Sequence, residues 1–204
     1  MNSNANIIMR TTTIFALLFA CFSLSAQVDC GDITIKDFLN FVEGEEAPYT
    51  GECVSNDPTG QLIQRGSFKD GKKIGLWQSW HGNGKKRSES PYVDNLLHGT
   101  EYKWFSNEQL ESEDTYVGGV RSGKYVAYYE TGQKKFEFSF NMGLKTGTYT
   151  YYHPNGQKWE QGKYVNDLHQ GVWWVWDANG NKTNKRVYNK DEVVSENVYN
   201  DKSE

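Results

Sequence analysis

Gly51, Gly75, Gly99, Gly123, Gly147 and Gly171 stand 24 residues apart without slippage, and a period this strict confines the chain to a repeat architecture. Seventeen residues after each comes an aromatic: Phe68, Tyr92, Tyr116, Phe140, Tyr164 and Tyr188. Nine residues after it, five units carry a second glycine, at Gly60, Gly84, Gly132, Gly156 and Gly180. Asparagine comes just before that ninth position in four of the six units, as Asn83, Asn107, Asn155 and Asn179.

The unit Gly147 to Gln170 shows what one period builds. Tyr149 to His153 is aromatic and extended, and Lys158 to Tyr164 is a second extended run. Between them Pro154-Asn155-Gly156-Gln157 reads as a type I′ turn, with Asn-Gly supplying two positive φ angles. Asn166 to Gln170 is then a polar loop into the next glycine. Each unit is a β-hairpin, and the even period keeps corresponding side chains on one face of the sheet. The expected fold is all-β: an elongated antiparallel meander of six stacked 24-residue hairpins over residues 51–194. At roughly 4.8 Å per strand, six hairpins extend about 55–60 Å.

Such an array needs ends. In the segment 27–50, Ile35, Phe38, Leu39 and Val42 fall at i, i+3, i+4 and i+7, so Thr34 to Val42 is expected to form a short capping helix. Val193 to Tyr199 is expected to add a last strand, and residues 195–204 carry that strand into a polar tail.

Composition fits a thin sheet better than a deep aliphatic core: 37% of residues are hydrophobic and 15% are aromatic, and all 7 Trp and 13 Tyr lie at or beyond Tyr49. The start differs. Arg10 precedes the apolar stretch Ile14 to Ala26, which is too short to span a bilayer and ends in small residues, as a signal peptide does. The expectation is cleavage near Ala26 and an exported product, in the periplasm, on the cell surface or secreted. A buried strand or helix is the rival reading of this stretch. Leu18-Phe19-Ala20-Cys21 also loosely matches a lipobox, which would anchor the protein at Cys21. Loss of residues 1–26 leaves 21 Lys+Arg against 26 Asp+Glu, a net charge of −5. That balance excludes nucleic acid as a partner and disfavours anionic lipid. Cys30 and Cys53 remain, an even number in an exported chain, and are expected to form a disulfide.

The pattern G-x-W/Y-x-x-Y/W-x-x-N-G, followed by an aromatic, resembles the MORN repeat, and most closely its longer bacterial variant, whose members are often labelled antitoxin-like. Pro48-Tyr49-Thr50-Gly51 is similar to the usual entry into such arrays. The resemblance implies an elongated antiparallel sheet used for binding or scaffolding, toward protein partners or lipid head groups. Three units depart from it. The first has Cys53 and Asn56 where aromatics belong, and the sixth ends in Asp191. The third has Glu101 for the aromatic and Glu108 for the turn glycine, so its hairpin is expected to be altered.

No catalytic, cofactor or metal site emerges. His81 and His153 hold one repeat position three units apart, hence about 29 Å from each other, far beyond a shared metal. They and His98 and His169 read as solvated loop histidines. Glu89, Glu113 and Glu137 form a column about 10 Å apart, close to the roughly 6.5–9.5 Å of inverting glycosidases. The column runs on into Arg65 and Lys185, which marks it as a charged strand face. The candidate binding residues are the aromatics two and five places after each glycine: Trp77, Trp80, Trp104, Tyr128, Tyr152, Trp173 and Trp176. They read either as rings standing in for an aliphatic core or as an exposed ladder. A spacing of three puts each pair on opposite faces unless a bulge intervenes.

The functional expectation is an exported, non-enzymatic scaffold that binds a protein partner. Alternatives are a module that binds envelope glycans by aromatic stacking, and an antitoxin-like protein whose partner toxin is itself exported. Export is checked by the mass of the mature protein, which should begin at Gln27. An intact N-terminus, or a lipid adduct on Cys21, contradicts it.

Overall fold

The computed structural model describes residues 28–199, so the expected signal peptide, Cys21 and residues 200–204 lie outside it. The described residues form one long antiparallel sheet and a separate two-stranded hairpin. In the long sheet each strand pairs with its sequence neighbours, from Gly51–Asn56 at one edge to Glu192–Val198 at the other. The terminal strand is thus the one expected from Val193 to Tyr199.

Two kinds of turn alternate, and their assignment corrects the sequence reading. The two-residue turns with paired positive φ lie between the repeats, at Asp70-Gly71, Asp94-Asn95, Gly118-Gly119, Met142-Gly143, Asn166-Asp167 and Lys190-Asp191. The Asn-Gly turn within each hairpin is different. His153 N donates to the Gln157 carbonyl and Gly156 N to the His153 carbonyl, while Gly156 alone takes positive φ, at 85°. This is a three-residue loop, a type I turn closed by a left-handed residue. Glu108 fills that closing position in the third unit at φ 68°, and the Phe105 to Gln109 hairpin keeps the same hydrogen bonds. A side chain there costs about 1–2 kcal/mol in backbone strain, which one unit absorbs. The expected alteration of the third unit lies instead at its base, where Lys86–Val93 pairs with Gly99–Trp104 at only Ser88↔Lys103 and Glu89↔Tyr102.

Asparagine is therefore selected for its amide. The Asn83, Asn107 and Asn155 amides donate to the carbonyls of Ser106, Glu130 and Ala178, each 23 residues on, at 2.7–2.9 Å. Each carboxamide oxygen also accepts the backbone N–H two residues ahead. The tip of one hairpin is thereby tied to the tip of the next.

Register slips within each hairpin, and again between most neighbouring hairpins. Gly75, Gly123, Gly147 and Gly171 sit inside strands, at bulges between hairpins, with φ between 65° and 132°. They do not turn corners. A second bulge skips one residue of each return strand, such as Arg87 between Lys86 and Ser88. Neither bulge falls between the two rings of a pair, which therefore keep to opposite faces: Trp77 meets Phe68 and Tyr92, whereas Trp80 lies under Arg65.

The core is one layer of rings on one face. Phe68, Trp77, Phe138, Phe140, Tyr164 and Trp173 are buried there, in edge-on or tilted contacts such as Phe68–Trp77 at 5.0 Å and Tyr164–Trp173 at 5.1 Å. Size compensates across strands. A Cβ on Gly66 would fall inside the Trp77 indole, and one on Gly162 inside that of Trp173. In the third unit Glu101 takes the ring's place and accepts from Ser90 Oγ at 2.7 Å. Cations close the layer at one end: Lys73 Nζ stands 4.1 Å from the Trp77 ring centroid, and Lys145 Nζ 5.3 Å from that of Tyr164.

The N-terminal segment is not helical. Ile33–Lys36 and Leu39–Val42 form a hairpin about Asp37-Phe38, whose φ angles are 51° and 64°. Ile35 and Phe38, two members of the expected helical stripe, are 77% and 90% exposed. A helix this short is unstable without a buried face, and β-branched Ile33, Thr34 and Ile35 favour the strand. Asn40 Nδ2 donates to the Gly71 carbonyl at 2.8 Å, so the hairpin docks at an inter-repeat turn. The edge strand is covered by Val28, whose carbonyl accepts from Val54 N, and by a disulfide joining Cys30 to Cys53.

Gly66→Ala should lower the unfolding free energy by about 1–3 kcal/mol, the usual cost of overpacking. Denaturant unfolding checks this, and the cost should shrink in a Trp77→Ala background; equal costs in both backgrounds contradict the pairing.

Candidate binding surfaces

The seven aromatics singled out from the sequence fall into two sets. Trp77 and Trp173 are 5% and 2% exposed and belong to the ring layer. Trp80, Trp104, Tyr128, Tyr152 and Trp176 share the opposite face and are half-buried. Each is engaged by its own face. Arg65, Lys86 and Lys158 stand 5.7, 5.7 and 5.9 Å from the Trp80, Trp104 and Trp176 centroids. Tyr128 donates to Glu113, and Tyr152 to Glu137 at 2.7 Å.

Along the middle of that face runs a polar file. Arg65 Nε donates to Gln78 Oε1 at 2.6 Å, and Gln78 Nε2 to Glu89 Oε1 at 2.8 Å. The Glu column thus lies inside a hydrogen-bonded network. The Lys86 hydrogen bond holds the Glu89 carboxyl below its ordinary pKa. Burial pushes Glu137 up, but Lys134 and Tyr152 outweigh it and bring its pKa below the ordinary value. Two carboxylates kept ionised are a poor acid–base pair, which needs one group raised.

None of the four histidines stands free in solvent, and the exposed His98 accepts from Gly118 N through Nδ1. His81 Nε2 contacts the Trp104 carbonyl at 2.7 Å, and His153 Nε2 that of Trp176 at 3.0 Å, each bridging to the next repeat. His169 lies 4.5 Å from the Trp173 ring and 2.7 Å from Asp191 Oδ1, while His98 is exposed. Among the described residues no cluster of His, Cys, Asp or Glu is placed to hold a metal.

The surface that the sequence reading missed flanks the inter-repeat turns. Val93 and Leu96, Val117 and Val120, and Val165 and Leu168 face each other across three of them, and Leu144 continues the row. All seven are 37–54% exposed. By pleat parity these residues lie on the face of the polar file, a pair at three of four successive turns and Leu144 alone at the other, with turns about 10 Å apart. The signal was present as an apolar residue on each side of the turn, in YVDNLL, YVGGV and YVNDL. It was hidden by treating the whole connection as a polar loop.

Comparison with known families places the pattern. The family model described as a MORN repeat variant matches residues 49–70, 73–94, 97–117, 121–142 and 145–166. It covers five of the units, each starting a few residues before the glycine used here to count them. The sixth is supported by its hairpin, in which Leu168–Trp176 pairs with Lys182–Asn189. No curated protein matches the chain.

Burial and the Glu137 carboxylate push the Tyr152 phenol up to about 12, and burial with Tyr151 pushes Tyr129 up to about 12. A phenol with a raised folded pKa stabilises fully below the unfolded value near 10 and loses that contribution as pH rises through its folded value. Stability should therefore be retained up to about pH 10 and decline toward pH 12. Denaturant unfolding with tyrosinate absorbance measures this, and Tyr152→Phe should flatten the decline; an unchanged slope contradicts the assignment.

Proposed function

The chain belongs to the MORN repeat family, in its variant form, and we propose that it acts as an exported, non-catalytic scaffold that binds a protein partner across several repeats. The observation that carries this is the row of exposed aliphatic side chains from Val93 to Leu168. Contiguous apolar rows rimmed by polar groups mark interaction sites, and this one borders the polar file of Arg65, Gln78 and Glu89. A partner that presents apolar residues at a repeat of about 10 Å would meet an exposed aliphatic side chain at each of four successive turns. The net charge of −5 after cleavage argues for a protein rather than an anionic lipid surface. The commitment of the Glu and His columns to structural bonds supports a binder over an enzyme. An antitoxin role is a special case, in which the partner is an exported toxin.

Leu96→Lys with Leu168→Lys tests the reading, since both side chains are exposed and the fold should be kept. A photo-crosslinker at Val117 should capture one protein, and the double variant should reduce that capture by about tenfold or more. Single variants should weaken it partially. Capture that is indifferent to both changes sinks the proposal.

A further inference from the structure

The repeats serve as controls for one another, and one residue stands outside their pattern. The bulge position of the return strand, which the ladder skips, is Ile63, Arg87, Glu111, Lys135, Trp159 and Thr183 in successive units. Five units fold with aliphatic, charged or hydroxyl side chains there, so the fold does not call for tryptophan. Trp159 is nevertheless present and 42% exposed, unlike the buried Trp77 and Trp173. Bulges free a side chain from the ladder and re-aim it, commonly beside functional sites.

Trp159 is also held in place. Its ring stacks on Tyr151 at 4.9 Å and 20°, and on His153 at 5.1 Å and 9°. The indole is the ring that both others touch, and it is also the most open of the three. His153 is itself pinned through Nε2 to the Trp176 carbonyl at 3.0 Å. Beside the stack lies an open cleft whose apolar wall includes Val175 and Val198 and whose polar wall is Glu160, Thr183, Asn184 and Arg186. Glu160 is half-buried, and burial raises its pKa against the pull of His169 and Arg186. Asn184 and Arg186 both donate to Glu196 Oε1, at 2.7 and 2.8 Å, which fixes the polar wall.

We propose that this cleft, formed by the fifth and sixth repeats, binds a neutral pyranose residue of a glycan, with Trp159 as the stacking platform. A pyranose has an apolar C–H face that lies on an aromatic ring, and hydroxyls at its rim that pair with carboxylate and carboxamide groups. The cleft supplies both in one place: one rigid ring surface, and Glu160 and Asn184 beside it. Most binding sites have this composition, largely apolar with a few placed polar groups. Neutral sugars fit best, because the Arg186 charge is already met by Glu196. A proline-rich peptide needs aromatic ridges with a gap between them, whereas these rings are stacked into a single platform. The cleft lies on the ring-layer face, opposite the aliphatic row, so the two sites are independent.

The test is titration of the mature full chain with a panel of neutral oligosaccharides of glucose, galactose and N-acetylglucosamine, followed by tryptophan fluorescence and saturation-transfer NMR. Saturable binding should fall about tenfold or more in Trp159→Ala, the scale of a lost aromatic stacking contact in a small site. Trp159→Phe should retain part of it, and Glu160→Gln should weaken it with unchanged thermal stability. Arg87→Ala, at the same bulge three units away, should bind as the parent does. No saturable binding of any of these sugars at millimolar concentration overturns the proposal. So does binding indifferent to Trp159→Ala, or capture of a proline-rich peptide in place of every sugar. Capture of the protein partner should be untouched by Trp159→Ala, which keeps this result separate from that of the aliphatic row.

Discussion

Among the described residues no second layer packs against the long sheet, so its side chains are dried only by the side chains beside them, and most of this structure follows from that limit. Trp77 lies across Gly66 because the glycine leaves room for an indole to lie flat on the neighbouring strand. Trp173 and Gly162 repeat the arrangement. Where the ring is absent, Glu101 and Ser90 close the same gap with a hydrogen bond. Tyr125 and Asp114 make a further variant, in which the buried Asp114 accepts from Tyr116 and from Arg121 at 2.9 and 2.8 Å. Burial still raises the pKa of that carboxyl, a sign that a thin core holds charge poorly.

The same limit explains the polar contacts. Backbone pairing joins neighbouring strands, but nothing in an open sheet ties one hairpin tip to the next. The asparagine amides, His81, His153 and the Tyr129 hydroxyl provide those ties, each to a backbone carbonyl one repeat ahead. A net hydrogen bond contributes only about 0.5–1.5 kcal/mol, yet the ties recur in unit after unit and set the spacing of the array.

The meander, its period and its terminal strand were legible from the sequence, because glycine and ring columns at fixed spacing reflect a periodic backbone. Which turn was which was not. Asn-Gly suits a type I′ turn, and the residues do not reveal that the amide is needed elsewhere. Thr34 to Val42 misled for a related reason: four apolar positions satisfy a helical period, but only tertiary contacts decide whether any are buried. Val93, Leu96 and their equivalents are not legible as one surface, because polar turn residues separate each pair in sequence and only strand pairing brings the two side chains together. Trp159 carried a signal that columnwise comparison finds, a large ring where no other unit has one.

The two edges of the sheet are finished differently, and that gives the array a direction. At one edge a disulfide and the Val28 backbone hold the strand Gly51–Asn56. At the other, every residue of Glu192–Val198 is exposed. In a chain of units held mainly by nearest neighbours, opening begins at the least buried strand and travels inward. Fraying therefore starts at the last strand and runs toward the first, so amide protons exchange fastest beyond Tyr188 and slowest near Cys53. The molecule behaves as a zipper with a stop at one end only.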